Sequence, residues 1–139
     1  MSPYIKKIVS VSFFLLIICK VFAPSSGSMV IFHNTPIEPF KNLINAIGMV
    51  ETSFDTLAYN PDEKAAGFFQ IRPIRIEDYN KRTGSNYSTK DMFSYEISEK
   101  IFLYYASQIG PYNFERIAKN WNGSGKKTIQ YWKKVKKYL

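Results

Sequence analysis

Glu51 is a lone acid at the end of an apolar helical repeat, and that placement can give a carboxyl a chemistry. Phe40, Leu43, Ile44, Ile47 and Val50 recur at three- and four-residue steps, which predicts a helix from about Phe40 to Glu51. Glu51 falls on the stripe that such a helix buries, four residues past Ile47 and seven past Ile44. A carboxyl drawn away from water by Ile and Phe side chains has its charged form disfavoured, so its pKa rises. An acid kept protonated near neutrality can hand a proton to a departing group. The same spacing is also met by a Glu that ends the helix and faces water.

Two later segments could meet Glu51. Asn60-Pro61-Asp62 predicts a turn, and Gly67 is a backbone-permissive position before Phe68, Phe69 and Gln70. At most a short β-hairpin fits between the Glu51 helix and Gln70. Much later comes Trp121-Asn122-Gly123. Together these supply one acid, the amides of Gln70 and Asn122, and the aromatic rings of Phe69 and Trp121. Amides pair with acetamido and hydroxyl groups and flat rings stack on sugars, so the set suits an N-acetyl sugar in a preformed cleft. Singly, each has a plainer reading. A Phe-Phe pair is ordinarily core, and Asn-Gly after a helix is ordinarily a cap.

The elements that must position these groups are helical. Pro73 opens a helix to about Lys81, with proline in the first turn, and Gly84-Ser85-Asn86 ends it. Ser88 and Asp91 have capping-box spacing. The longest helix runs from about Asp91 or Ser94 to Ile109, with Ile97, Ile101, Tyr104, Tyr105 and Gln108 along one side, and Gly110-Pro111 stops it. Asn113 to Trp121 forms another, striped by Phe114, Ile117, Ala118 and Trp121. A last helix, Lys126 to Tyr138, places Ile129, Trp132, Val135 and Leu139 inward and its lysines outward. The expected fold is mainly α, a small domain over residues 40–139 with no internal repeat.

A chain of 139 residues with 45% hydrophobic content suffices for one domain with one core. Its N-terminus reads as an export signal over residues 1–27: Lys6-Lys7, an apolar run from Ile8 to Cys19, then Ala23, Ser25, Ser26 and Gly27. Extending the run past Lys20 to Ala23 leaves an uncleaved membrane anchor as the alternative. Residues 28–39 read as an extended lead-in. Cys19, the one cysteine, follows Ile17-Ile18 rather than a small residue, which argues against a lipoprotein. One His, His33, and no cysteine pair argue against a metal site, and nothing points to a cofactor. The net charge of +8 is concentrated in six lysines between Lys126 and Lys137, with no acid among them. These form either the solvated face of a terminal helix or a weak hold on an anionic polymer or membrane surface. An exported chain has little nucleic acid to meet, so no nucleic-acid partner is expected.

In order, the motifs resemble those of the lysozyme-like transglycosylases: the soluble lytic transglycosylases and their goose-type lysozyme relatives. That family has a helix-end Glu-Ser with an aromatic soon after, then Ala and a Ser-Pro turn. Gly-Leu-Met-Gln-Ile with a Pro two beyond follows, and later Ala-Tyr-Asn-Ala-Gly. This chain has Glu51-Thr52-Ser53-Phe54-Asp55, Ala58, Asn60-Pro61, Gly67-Phe68-Phe69-Gln70-Ile71 with Pro73, and Trp121-Asn122-Gly123. The likeness spans about residues 40–125 and implies a small lysozyme-like domain.

It further implies that Glu51 is the catalytic acid, Gln70 the cleft glutamine and Asn122 the family's asparagine. Asn60 takes the place of a substrate-contacting serine, Trp121 that of tyrosine, and Thr52 that of the serine after the acid. Phe68-Phe69 replaces Leu-Met, and Arg72 stands where some members have a cleft methionine. The implied substrate-binding set is Thr52, Asn60, Phe69, Gln70, Trp121 and Asn122. The implied activity is cleavage of the MurNAc–GlcNAc β-1,4 bond of peptidoglycan by a monomer in the periplasm or cell envelope, leaving 1,6-anhydro-muramyl ends. A second acid opposite Glu51, from Asp55, Asp62 or Glu63, would favour lysozyme-type hydrolysis instead. A glycan-binding or scaffold protein on the same fold is the non-enzymatic alternative.

Overall fold

The computed structural model describes residues 38–139. The signal segment 1–27, Cys19, His33 and residues 28–37 of the lead-in lie outside the described residues. The first helix, α1 (Lys41–Thr52), buries Leu43, Ile44, Ala46, Ile47 and Gly48, the stripe its sequence repeat predicts. It ends where Ser53 turns left-handed (φ 53°), and the N–H groups of Ser53 and Phe54 close on the carbonyls of Met49 and Gly48.

A two-stranded antiparallel hairpin follows, β1 (Tyr59–Asn60) and β2 (Ala65–Ala66), with Tyr59 opposite Ala66. Asn60 Oδ1 accepts the N–H of Asp62 at 3.0 Å and of Glu63 at 3.4 Å, so the polar loop is held by its own asparagine. Beyond the hairpin the chain makes a tight turn over Gly67–Gln70, clamped by the mutual hydrogen bonds of Ala66 and Ile71. Gly67 has φ +75°, and a Cβ there would overlap the carbonyl of Met92, so both its conformation and its surroundings require glycine.

Helix α2 (Pro73–Thr83) starts on proline and stops at left-handed Gly84. The Ser88–Asp91 capping box forms, but it opens a short 3₁₀ turn (Thr89–Phe93). Ser94 then caps the long helix α3 (Tyr95–Ile109). The buried side of α3 is Ser98, Ile101, Phe102 and Ala106, rotated from the expected stripe, and Gln108 is exposed. Phe102 decides the rotation, because its ring stacks on Phe69 at 4.8 Å between centroids.

Helix α4 (Phe114–Asn122) buries Ile117, Ala118 and Trp121 as predicted. Helix α5 (Lys127–Val135), followed by a 3₁₀ turn (Lys136–Tyr138), corrects the sequence reading. Ile129 is 47% and Leu139 45% exposed, whereas Thr128, Tyr131 and Val135 face inward. The fold is thus mainly helical with one small hairpin. Its core joins α1, the Phe68–Ile71 run, α3, α4 and α5. No helix among the described residues is long and apolar enough to cross a membrane.

Candidate active site

The Phe68–Arg72 run binds the predicted segments together. Thr52 Oγ1, one residue past Glu51, donates to the carbonyl of Phe68 at 3.3 Å as well as to its own helix at Gly48. Trp121 Nε1 donates to the carbonyl of Phe69 at 3.1 Å, and Arg72 Nη2 to that of Asn122 at 3.1 Å. The end of α1, the Gly67–Gln70 turn and the end of α4 therefore converge as the sequence reading requires. Gly48 makes the first approach feasible: a Cβ on it would overlap the Phe68 ring.

Glu51 lies half-buried in the last turn of α1. Burial pushes its carboxyl up from 4.5 to about 7. The hydrogen bond from Tyr131 acts against this, Glu63 adds to it by charge repulsion, and Arg72 and Lys134 oppose it by attraction. Tyr131, buried on α5, donates its hydroxyl to Glu51 Oε1 at 2.7 Å. Burial and the nearby Glu51 charge hold that phenol far above its ordinary value, so it remains a donor.

Tyr131 also lines a cleft of about 550 Å³, together with Glu63, Arg72, Asn122 and Gly123. The rest of the wall is Ser124, Lys127, Gln130 and Lys134. The arrangement can hold one proton on Glu51 close to neutrality, orient it by Tyr131, and offer polar and cationic groups to a ligand beside it.

The predicted binding residues divide. Asn122 lines the cleft. Gln70 is half-buried with φ 49°, and its Nε2 donates to the carbonyls of Ala58 (3.2 Å) and Gly67 (3.0 Å), bracing the hairpin against the turn. Asn60 is committed to its loop, as described.

Phe69 and Trp121 are corrections. Phe69 is fully buried, packed on Phe68, Phe102 and Trp121, so its ring cannot meet a sugar. Trp121 is 5% exposed, its ring packed edge-on against Phe102 and its π-face taken by Arg75 at 4.4 Å. Both rings belong to the hydrophobic core, where the buried Trp121 N–H finds its partner in the Phe69 carbonyl.

Asp55 is no partner to Glu51, since α1 ends at Thr52 and the Asp55 carboxylate accepts the N–H of Leu57 at 2.8 Å. Glu63, from the exposed hairpin loop, is the acid that lines the cleft, which Glu51 reaches through Tyr131. Sequence reasoning missed Tyr131 and Gly48. Thr128, Tyr131 and Val135 repeat at helical spacing as well as Ile129, Trp132 and Val135 do, and the second set is the more apolar, so periodicity points to it first.

Comparison of the chain with protein-family models, curated proteins and solved structures gave no match. The functional reading therefore rests on the residues themselves.

Proposed function

We propose that this protein is a lytic transglycosylase, cutting the MurNAc–GlcNAc β-1,4 bond of peptidoglycan with Glu51 as the sole acid and base. The observation that carries the reading is the half-buried Glu51, raised to about 7 and held at 2.7 Å by Tyr131 beside an open polar cleft. Tyr131 occupies one carboxyl oxygen, Oε1, and in this reading the proton on the other goes to the glycosidic oxygen. As that bond breaks, the acetamido carbonyl of the muramyl sugar bonds to C1 and stabilises the cationic centre. Glu51, now a carboxylate, takes the proton of the C6 hydroxyl. O6 then displaces the acetamide oxygen from C1, which closes the 1,6-anhydro ring and consumes no water. Such substrate assistance lies outside the two-carboxylate scheme.

Hydrolysis is the second reading, favoured by one observation: Glu63 lines the cleft that Tyr131 lines. It ranks second because no hydrogen bond orients the Glu63 carboxylate among the described residues, and a base for water needs orientation. Digestion of purified peptidoglycan followed by mass analysis of the ends separates the readings. Anhydro ends from wild type and Glu63→Gln, absent with Glu51→Gln, support the transglycosylase. Reducing ends that vanish with Glu63→Gln support hydrolysis. Glycan binding without cleavage by all three proteins points to a non-enzymatic role.

A further inference from the structure

The face of α5 that carries Tyr131 to Glu51 also carries charge. Lys127 lies four residues before Tyr131 and Lys134 three after it, so all three side chains share one helical face. Both lysines line the cleft, as does Arg72 from the turn before α2. The Arg72 guanidinium is set in place by its bond to the Asn122 carbonyl at 3.1 Å, which uses one of its five N–H donors. Three cations thus surround a wall whose one acid is Glu63. None of the three forms an ion pair among the described residues, where the ion pairs belong to Lys41, Arg82 and Lys119. Like charges gathered in a concave wall repel one another and concentrate the local field, an arrangement that favours an anion. A neutral glycan would leave them facing water.

We propose that Arg72, Lys127 and Lys134 form a subsite for a carboxylate borne by the glycan, so that the protein selects strands whose muramyl residues carry peptides with free carboxyl groups. This rests on the proposed function, because it places the carboxylate on the sugar next to the bond that Glu51 attacks. The planar guanidinium of Arg72 matches a carboxylate in two-point fashion, and the lysines act as point charges on either side. A strand with free amino groups in place of acetamides would be repelled by the same wall.

The test compares soluble peptide-bearing glycan strands with the same strands after their carboxyl groups are amidated. Wild type, Arg72→Met and the double variant Lys127→Gln/Lys134→Gln are measured at one pH. The ratio of the two KM values cancels any effect of these cations on Glu51. Wild type is expected to have a KM about tenfold lower on the free-carboxyl strand, narrowing as salt is raised. In each variant the ratio falls toward one. The lysine pair is exposed, so it serves even if Arg72→Met disturbs the fold. A wild-type ratio of one overturns the proposal. So does competition by inorganic phosphate without any preference between the strands, which would assign the cations to phosphate.

Binding of the two strands to Glu51→Gln, followed by calorimetry, separates this from the catalytic reading. Preference in binding without cleavage by wild type sinks the lytic activity and keeps the subsite. Cleavage without preference does the reverse.

Discussion

Replacing Glu51 by Gln should make the protein more stable at alkaline pH while removing its acid. The carboxyl rises from 4.5 to about 7 on folding because burial penalises its charge. Between those values the folded chain binds more proton than the unfolded one, so stability falls as pH rises. The contribution of Glu51 is fully present below the unfolded value and lost once pH passes about 7. At 1.36 kcal/mol per pKa unit, the whole shift corresponds to about 3 kcal/mol, of which about 2 to 3 lies between about pH 5 and about pH 8.5.

Gln has no charge to desolvate and keeps a carbonyl oxygen for the Tyr131 hydroxyl, so the 2.7 Å bond survives the exchange. Asp78 and Asp91, whose pKa values are lowered by hydrogen bonds from Arg82 and from Ser88 respectively, contribute with the opposite sign, their stability being lost toward acid. Their effect cancels in the difference between variant and wild type. Urea unfolding of both proteins at about pH 5 and about pH 8.5 measures that difference, which should grow by about 2 kcal/mol toward alkali. A difference equal at the two pH values would mean that Glu51 ionises as freely as in water. The reasoning from buried acid to proton donor would then be refuted.

If Glu51 must be protonated to act, kcat/KM for glycan cleavage should decline above about pH 7, with the midpoint set by Glu51. Tyr131→Phe removes the hydrogen bond that lowers this pKa, so the declining limb should move to higher pH; an unmoved limb would detach Tyr131 from the acid. Trp121→Phe deletes the donor to the buried Phe69 carbonyl. It should cost about 1–3 kcal/mol in chemical denaturation with KM nearly constant, whereas a raised KM at full stability would put the ring in the substrate path. Gly48→Ala drives a methyl into the Phe68 ring. A loss of about 2 kcal/mol or more in thermal or urea unfolding is expected, and a neutral result would show that the α1–Phe68 contact is loose.

Much of this was legible from residue types. The stripe of α1 could be read because Leu43, Ile44 and Ile47 leave no competing face, and the stop at Gly84 because a left-handed residue was needed there. Where two stripes of similar quality coexist, periodicity has no means of choosing. On α5 Val135 faces inward as the apolar set predicts, but Ile129 is exposed and Tyr131 takes the inward place, since the space next to Glu51 suits a phenol that can donate a hydrogen bond. Phe69 and Trp121 have the residue types of a sugar platform. Only packing shows that Phe102 and Arg75 already occupy their faces.

By itself the sequence determined the helical class, the position of the turns and the acid at the end of α1, because these depend on neighbours a few residues away. The tertiary structure decided what that acid touches. Its partner lies 80 residues along the chain, the cations near it are Arg72, just before α2, and Lys134 on α5, and its pKa follows from how deeply its surroundings bury it. Burial and charge fall off with distance in space rather than along the chain, so the chemistry of Glu51 becomes visible only when α5 is set against α1.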